Sequence, residues 1–450
     1  MAKLTISFHN WNRRRSHPQT IETARSCLSK LNRVGEISLT GFSYSAMKEI
    51  FRDLPKSAPQ LHTLCIERVC SIHEDFLQDT ERLQRVELSY CTTISWDSRL
   101  LTGLTFLSLE WSLNPNSSII QVLHALQRMP ALTELRLIYS IPEGSGGAST
   151  YPVVDLPFLR ILHISSAIGP LTTVLHHISF PHSAILNITC RVESTQEVDF
   201  SKFLSVLATN FLSSLVIRSL RVGLKDAISR RSGLEFYIWT TAFIPDCFPH
   251  PSSQSQLQLS LIWPWTSSES SQYLNHGKVL TSALDAMSLS SLTQLQSFAL
   301  SCIDSVTWVK TFGRLPLLER VYMKSSELHS FFEALVYKMK ADEKSKSKTV
   351  NRNISFPKLR YLHLEGVYFK GRSIVSVEKL LDYLKKRREG KAGVQVLLLD
   401  DCHYISSGDV ERLKEIVVDV IWDGVEQEDS ESESEEETED SEDSDDSDSS

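Results

Sequence analysis

Apolar residues recur along this chain in triplets spaced i, i+3 and i+5, whose last two members are separated by one residue, as in a half-buried strand. Copies stand at Val34/Ile37/Leu39, Leu61/Leu64/Ile66, Leu83/Val86/Leu88, Leu104/Leu107/Leu109, Leu132/Leu135/Leu137, Leu159/Leu162/Ile164, Leu212/Leu215/Ile217, Leu295/Phe298/Leu300, Leu318/Val321/Met323, Leu359/Leu362/Leu364 and Val394/Leu397/Leu399, with a weaker one at Ser183/Leu186/Ile188. Pro59, Pro130, Pro157, Pro316 and Pro357 each lie two residues ahead of a copy. A proline there cannot continue a helix and biases the residue before it toward extended backbone, which fixes the phase of the units. Between triplets the period lengthens toward 3.6. Met47/Ile50/Phe51/Leu54, Ile119/Val122/Leu123/Leu126, Leu328/Phe331/Phe332/Leu335/Val336/Met339, Val377/Leu380/Leu381/Leu384 and Leu413/Ile416/Val417/Val420/Ile421 predict helices, the second capped by Asn116 or Ser117. Each unit therefore reads strand then helix. One unit alone cannot bury both faces, so the units must stack, strands in parallel on one side and helices on the other.

Leu83 to Cys91 (LQRVELSYC) fits the pattern LxxLxLxxN/C to its last residue, and Val394 to Cys402 ends the same way. The triplet starts from 34 to 212 advance in steps of 21 to 29 residues, the spacing of leucine-rich repeats. The fold class predicted is α/β, a leucine-rich-repeat solenoid (horseshoe) with parallel concave strands, convex helices and an irregular middle. Residues 1–33 form an N-terminal cap segment, 34–218 regular repeats, 219–294 irregular repeats or an insertion, and 295–425 C-terminal repeats closed by a cap helix. The step of 41 residues between the starts at 318 and 359 holds a polar insertion at 341–353.

Leu315 to Val321 (LPLLERV), Ser330 to Leu335 (SFFEAL), Phe356 to Gly366 (FPKLRYLHLEG) and Asp400 to Ile405 (DDCHYI) resemble the repeat region of fungal F-box leucine-rich-repeat proteins. The resemblance covers most of residues 34–424. It implies a repeat arc that holds a substrate protein, joined in that family to a helical F-box that docks on the adaptor of a cullin ubiquitin ligase. Residues 1–33 lack the Ile/Leu-Pro-x-Glu opening of that module, so what is similar here is the substrate-recognition half.

Composition narrows the function classes further. At 41% hydrophobic and 23% charged residues, the chain has the make-up of a globular protein. Hydrophobic runs never exceed four residues, which predicts no membrane span, and Arg13, Arg14 and Arg15 follow rather than precede the N-terminal apolar residues, unlike a secretion signal. Eight scattered cysteines without a CxxC pair predict reduced thiols in the cytoplasm or nucleus. The net charge of −8 conceals a partition: residues 426–450 hold 15 acidic residues and no basic one, leaving 47 basic against 40 acidic residues on the body. That Ser-rich tail is expected to be disordered. Ser430, Ser432 and Ser434 each precede a glutamate by three residues and are phosphorylation candidates. Repeats followed by an acidic tail are also similar to acidic leucine-rich nuclear phosphoproteins, which implies histones or other basic proteins as alternative partners.

Side chains alternate along a strand, so the residues between and beside the triplet members face the concave surface. These are Arg85, Glu87, Glu134, Arg136, His163, Arg218, Arg320, Tyr322, Lys324, Tyr361, His363, Glu365 and Asp400. A mixed polar and aromatic row suits protein recognition. Catalytic motifs do not emerge. Gly144-Ser145-Gly146-Gly147 lacks the Lys-Ser/Thr of a phosphate loop, and His176 and His177 are adjacent with no HExxH, so no metal, cofactor or catalytic residue is expected. The cluster Lys385-Lys386-Arg387-Arg388 predicts a charge-complemented helix end, with nuclear import second, and the lysines at 338, 340, 344, 346 and 348 a solvated loop. Neither cluster interleaves aromatics, which disfavours specific nucleic-acid binding.

Overall fold

The computed structural model describes residues 4–9, 18–52, 57–68, 77, 79–91, 95–112, 117–143, 151–192, 199–224, 231–242, 255–264, 269–298, 300, 303–324, 328–337, 354–369 and 376–426. The candidate Ser430, Ser432 and Ser434, the glycines at 144, 146 and 147, the insertion 341–353 and the lysine cluster from 338 lie outside the described residues.

In the first half the strands are β1 (Leu4–His9), β2 (Val34–Thr40), β3 (Thr63–Glu67), β4 (Arg85–Ser89), β5 (Phe106–Glu110), β6 (Glu134–Ile138), β7 (Val154–Asp155), β8 (Ile161–Ala167), β9 (Ile178–Ser179) and β10 (Ile185–Arg191). Then come β11 (Ser219–Leu224), β12 (Arg231–Trp239), β13 (Leu257–Pro264), β14 (Gln294–Phe298), β15 (Arg320–Lys324), β16 (Tyr361–Glu365), β17 (Val396–Asp400) and β18 (Asp419–Trp422). Sixteen of them form one mostly parallel sheet, in the order β1-β2-β3-β4-β5-β6-β8-β10-β13-β12-β11-β14-β15-β16-β17-β18; β7 and β9 pair separately. The helices are α1 (Pro18–Leu28), α2 (Tyr44–Phe51), α3 (Ile119–Gln127), α4 (Ile168–His177), α5 (Ser201–Asn210), α6 (Glu269–Asp285), α7 (Ser305–Trp308), α8 (His329–Leu335), α9 (Val377–Glu389) and α10 (Ser407–Lys414).

The triplets explain the sheet. Leu64, Val86, Leu107, Leu135, Leu162 and Leu186 are register partners across β3 to β10, so the middle residue of each triplet forms one buried row. The first member sits two residues before its strand and ends a tight turn: the N–H groups of Leu61, Leu132, Leu159 and Leu359 donate to the carbonyls of Ala58, Met129, Leu156 and Phe356 at 3.0–3.1 Å. That places Pro59, Pro130, Pro157 and Pro357 at the second position of the turn, where a fixed φ near −65° is required. Burying one triplet contributes roughly 5–9 kcal/mol before conformational entropy is charged against it. The buried triplet residues join the helix faces in one core running from Ile6 to Val417.

A second ladder runs beside the leucines. The N–H of Cys91 donates to Ser112 Oγ at 3.3 Å, and the N–H of Ser112 to Ser140 Oγ at 3.2 Å; each hydroxyl returns its proton to a strand carbonyl, such as Leu109 for Ser140. Small polar residues after the strands thus satisfy buried backbone where the chain turns away.

Four expectations need correction. The cap of α3 is Ser118, which forms a reciprocal capping box with Gln121; Ser117 precedes it, and Asn116 lies outside the described residues. The triplet at 212 is out of phase: Leu212 lies in a 3-10 turn, and β11 buries Leu220 and Val222, so the working triplet is Ile217/Leu220/Val222. In β14, Leu295 pairs with Val321, so its triplet is Leu292/Leu295/Ser297 rather than Leu295/Phe298/Leu300. The stripe Leu413 to Ile421 splits into α10 and β18, because the β-branched run from Ile416 to Ile421 favours extended backbone over a continued helix.

The middle is irregular for a topological reason. After β10 the chain passes over two sheet positions to β11, turns back through β12 antiparallel to it, and returns through β13 to lie parallel to β10. β12 is the single reversed strand of the sheet, and α6 leads from β13 to β14 beside β11.

Candidate functional site

The outward face of the sheet carries the side chains left over by the triplets. On β4 to β8 it is organised by charge. Arg85 donates through Nε to Glu87 at 2.8 Å and lays its guanidinium 3.6 Å above the Phe106 ring. From the other side Arg136, whose Nε donates to Glu134 at 2.6 Å, brings its guanidinium to 5.6 Å from the same ring. The ring between two cations holds both arginines in place, so their carboxylate partners meet them in a fixed geometry. His163 follows on β8; burial, then the charge of Arg136, holds its pKa below the ordinary imidazole value, leaving it neutral near pH 7.

A rim of aromatic residues borders this face at the strand ends. Tyr90, Trp111 and Tyr139 each follow the last triplet leucine by two positions and have φ of 57°, 50° and 51°. Gly41 and Gly366 occupy the equivalent place in other units. A bulky residue in this left-handed region costs about 1–3 kcal/mol, which glycine avoids. The N–H groups of Tyr90, Trp111 and Tyr139 donate to the Glu110, Ile138 and Ser165 carbonyls at 2.7–2.8 Å, and this holds the conformation. Trp111 and Tyr139 stack with ring centroids 4.1 Å apart, and the guanidinium of Arg191 lies 4.1 Å above Tyr139. Tyr90 and Trp111 remain 48% and 46% exposed.

From β11 to β17 the face is aromatic and more enclosed. Arg221 lies 3.9 Å above the Phe298 ring; Phe298 stands 5.5 Å from Tyr322, and Tyr322 4.5 Å edge-on from His363. The Tyr322 hydroxyl and the Lys324 ammonium both donate to Glu365, one to each carboxylate oxygen. Arg320 reaches 5.9 Å from the Tyr361 ring. Tyr322 and His363 keep only 6% and 9% of their surface, so they form a floor rather than free recognition groups. Burial depresses the His363 pKa to about 4 and, with Asp400 and Asp401 nearby, raises that of Glu365. Donor atoms of His363, Glu365 and Asp400 lie within 4.8 Å of one another, but Lys324 and Tyr322 already occupy both oxygens of Glu365, so the set is a hydrogen-bonded ion cluster.

No protein-family model and no curated protein matches this chain. The geometry itself therefore carries the functional reading. Arg85, Glu87, Glu134, Arg136, His163, Arg320, Tyr322, Lys324, Tyr361, His363, Glu365 and Asp400 all lie on outward strand positions, whereas Arg218 precedes β11 and uses its backbone to bind Trp239, Thr293 and Gln294. Arg221 takes the outward position in its place, opposite Gln296 of β14. Sequence reasoning missed the rim, Phe106, Arg191, Arg221 and Phe298. The available signal was an aromatic followed by a small residue two places after a triplet: Tyr90-Cys91, Trp111-Ser112 and Tyr139-Ser140.

The remaining candidates resolve structurally. Arg387 is buried in α9 and donates to the carbonyls of Leu335, Ser355 and Phe356 at 2.7–2.8 Å, Lys386 pairs with Asp382, and Arg388 binds the Glu415 carbonyl. The cluster therefore presents no continuous cationic patch. His176 and His177 pack edge-on, 4.9 Å apart, beside a cleft of about 620 Å³ on the helix side. Burial raises the pKa of the Cys65 and Cys402 thiols to about 11 and about 12, so both stay protonated at neutral pH.

Proposed function

We propose that this protein is a non-catalytic protein-recognition scaffold, a leucine-rich-repeat solenoid whose concave wall is the outward face of the sheet, related to the substrate-recognition half of F-box ubiquitin-ligase receptors. The observation that carries this reading is the pre-set arrangement of that face: guanidinium, carboxylate and aromatic groups on successive strands are locked by their neighbours before any partner arrives. Preorganised charged and aromatic groups lose little entropy on association and are the residue types that anchor protein interfaces. Regular turn chemistry, the Cys91–Ser112–Ser140 ladder and thirteen parallel strand pairings support the repeat assignment.

Intracellular residence, in cytoplasm or nucleus, belongs to the same proposal; among the described residues no helix is long and apolar enough to cross a membrane. The charge partition of the sequence favours a second reading, in which the acidic segment 426–450 binds histones or other basic proteins. Affinity purification with mass spectrometry, comparing the full chain, an Arg85→Ala/Arg136→Ala variant and a deletion of 427–450, separates the two. A scaffold loses its partners in the face variant and keeps them in the deletion. The reverse pattern would replace the first reading with the second, and recovery of a cullin adaptor would support ligase membership.

A further inference from the structure

We infer that the rim formed by Tyr90, Glu110 and Trp111 is a specific seat for an arginine side chain of the partner protein. This rests on the recognition role of the sheet face and names the group that one part of it reads.

On β3 to β6 the outward carboxylates are matched by cations with one exception. Glu67 meets the Arg68 guanidinium at 3.5 Å, Glu87 pairs with Arg85, and Glu134 with Arg136. Glu110 sits among them, half-buried at the end of β5, and makes no ion pair or side-chain hydrogen bond with the described residues. Three carboxylates of this region carry their own cation and the fourth does not. A half-buried carboxylate gains most from a cation that arrives with its own hydrogen-bond donors.

The second argument comes from what the chain does with its own rings. Arg85 covers Phe106, Arg191 covers Tyr139 and Arg221 covers Phe298, with guanidinium carbons 3.6–4.1 Å from the ring centroids. Planar guanidinium on an aromatic face is thus the recurring contact of this surface. Tyr90, after the neighbouring strand β4, and Trp111, the residue that follows Glu110, are rim rings about half exposed to solvent. Arg191 covers Tyr139 at one end of the row, and Arg68 holds the equivalent position after β3 at the other, so the open rings between them are Tyr90 and Trp111. Both residues hold positive φ where glycine serves elsewhere, so neither ring is needed to form the turn. An aromatic face and a neighbouring carboxylate with no cation partner among the described residues, bordered by Arg68 and Arg191, define a site for one guanidinium, delivered on an extended segment that follows the sheet face.

The test uses the full chain and a library of random dodecapeptides displayed on phage, selected on wild type and then measured individually by calorimetry at physiological salt. Peptides with an arginine at a fixed position are expected, with binding at least tenfold weaker to Glu110→Gln and to Trp111→Gly and on replacing that arginine by citrulline. Trp111→Gly keeps the left-handed turn, so its melting temperature should stay close to that of wild type and folding does not confound the result. Peptides that bind both variants as tightly as wild type, including basic ones held by the acidic segment, would overturn the inference. Peptides insensitive to the rim variants but lost in Arg320→Ala would overturn it while leaving the recognition role of the face intact. A selection that yields no peptide distinguishing wild type from the variants would overturn it as well.

Discussion

The face over β4 to β8 and the face over β11 to β17 share a parallel framework yet differ in how they treat polar groups. In the first, two ion pairs flank the buried Phe106 ring, with 45% of the Arg85 and Arg136 side chains exposed. In the second, Tyr322 and His363 are buried edge-on against each other, and the Tyr322 hydroxyl donates to Glu365 beside the half-exposed Lys324. Under the proposed function the first region is the one a partner reads. The two are separated in the sheet by β10, β13 and β12, where the order of the chain in the sheet is broken.

The largest expected effect breaks the second region alone. Replacing Arg387 by Met would leave three buried carbonyls without their donor, a loss of about 3–5 kcal/mol. Because each strand pairs only with its neighbours along the sheet, hydrogen exchange should accelerate over α8, α9 and β16 while β3 to β6 keep their protection. Uniform loss across the sheet would contradict the division.

Acid should separate the regions next. The His363 pKa is about 4 in the folded chain and about 6.5 when unfolded, so between these values the unfolded state binds more protons. The stabilising effect of a neutral His363 is complete above pH 6.5 and is lost as pH falls to 4. After discounting for residual solvent access, this amounts to about 1–2 kcal/mol. Denaturant titrations at pH 7 and pH 4.5 should show this loss in wild type and a smaller one in His363→Gln.

The first region predicts smaller changes in stability. Glu134→Gln weakens an exposed pair and should cost no more than about 1 kcal/mol while reducing partner capture. For Trp111→Gly, release of the left-handed strain offsets the lost stack on Tyr139, and a net shift within about 1 kcal/mol is expected by thermal denaturation.

These contrasts also explain what could be read from the residues in order. Leu83/Val86/Leu88 and its relatives announced the parallel strands because burial on one face imposes a period of two, and Pro130 and Pro157 announced the turns because of their fixed φ. Period two carries no direction, so Leu234, Phe236 and Ile238 of reversed β12 look like any other inward row. The short span between β11 and β12 held the missing information, since a parallel return needs a dozen or more residues. Leu212/Leu215/Ile217 and Ile217/Leu220/Val222 satisfy the same spacing; the first points to Arg218, and only pairing with β14 brings Arg221 to the face. The rim was hidden for another reason: Tyr90, Trp111 and Tyr139 lie just past their strands, where side-chain direction depends on a positive φ that no hydrophobic pattern records.

The central claim is that a partner is gripped by the outward face of the parallel sheet. Hydrogen-exchange footprinting of the full chain, free and bound to the partner recovered by affinity purification, tests it most directly. Protection concentrated on β4 to β8 and the turns carrying Tyr90, Trp111 and Tyr139 is the predicted result. Protection confined to the helix side, around α4 and its cleft, would contradict it.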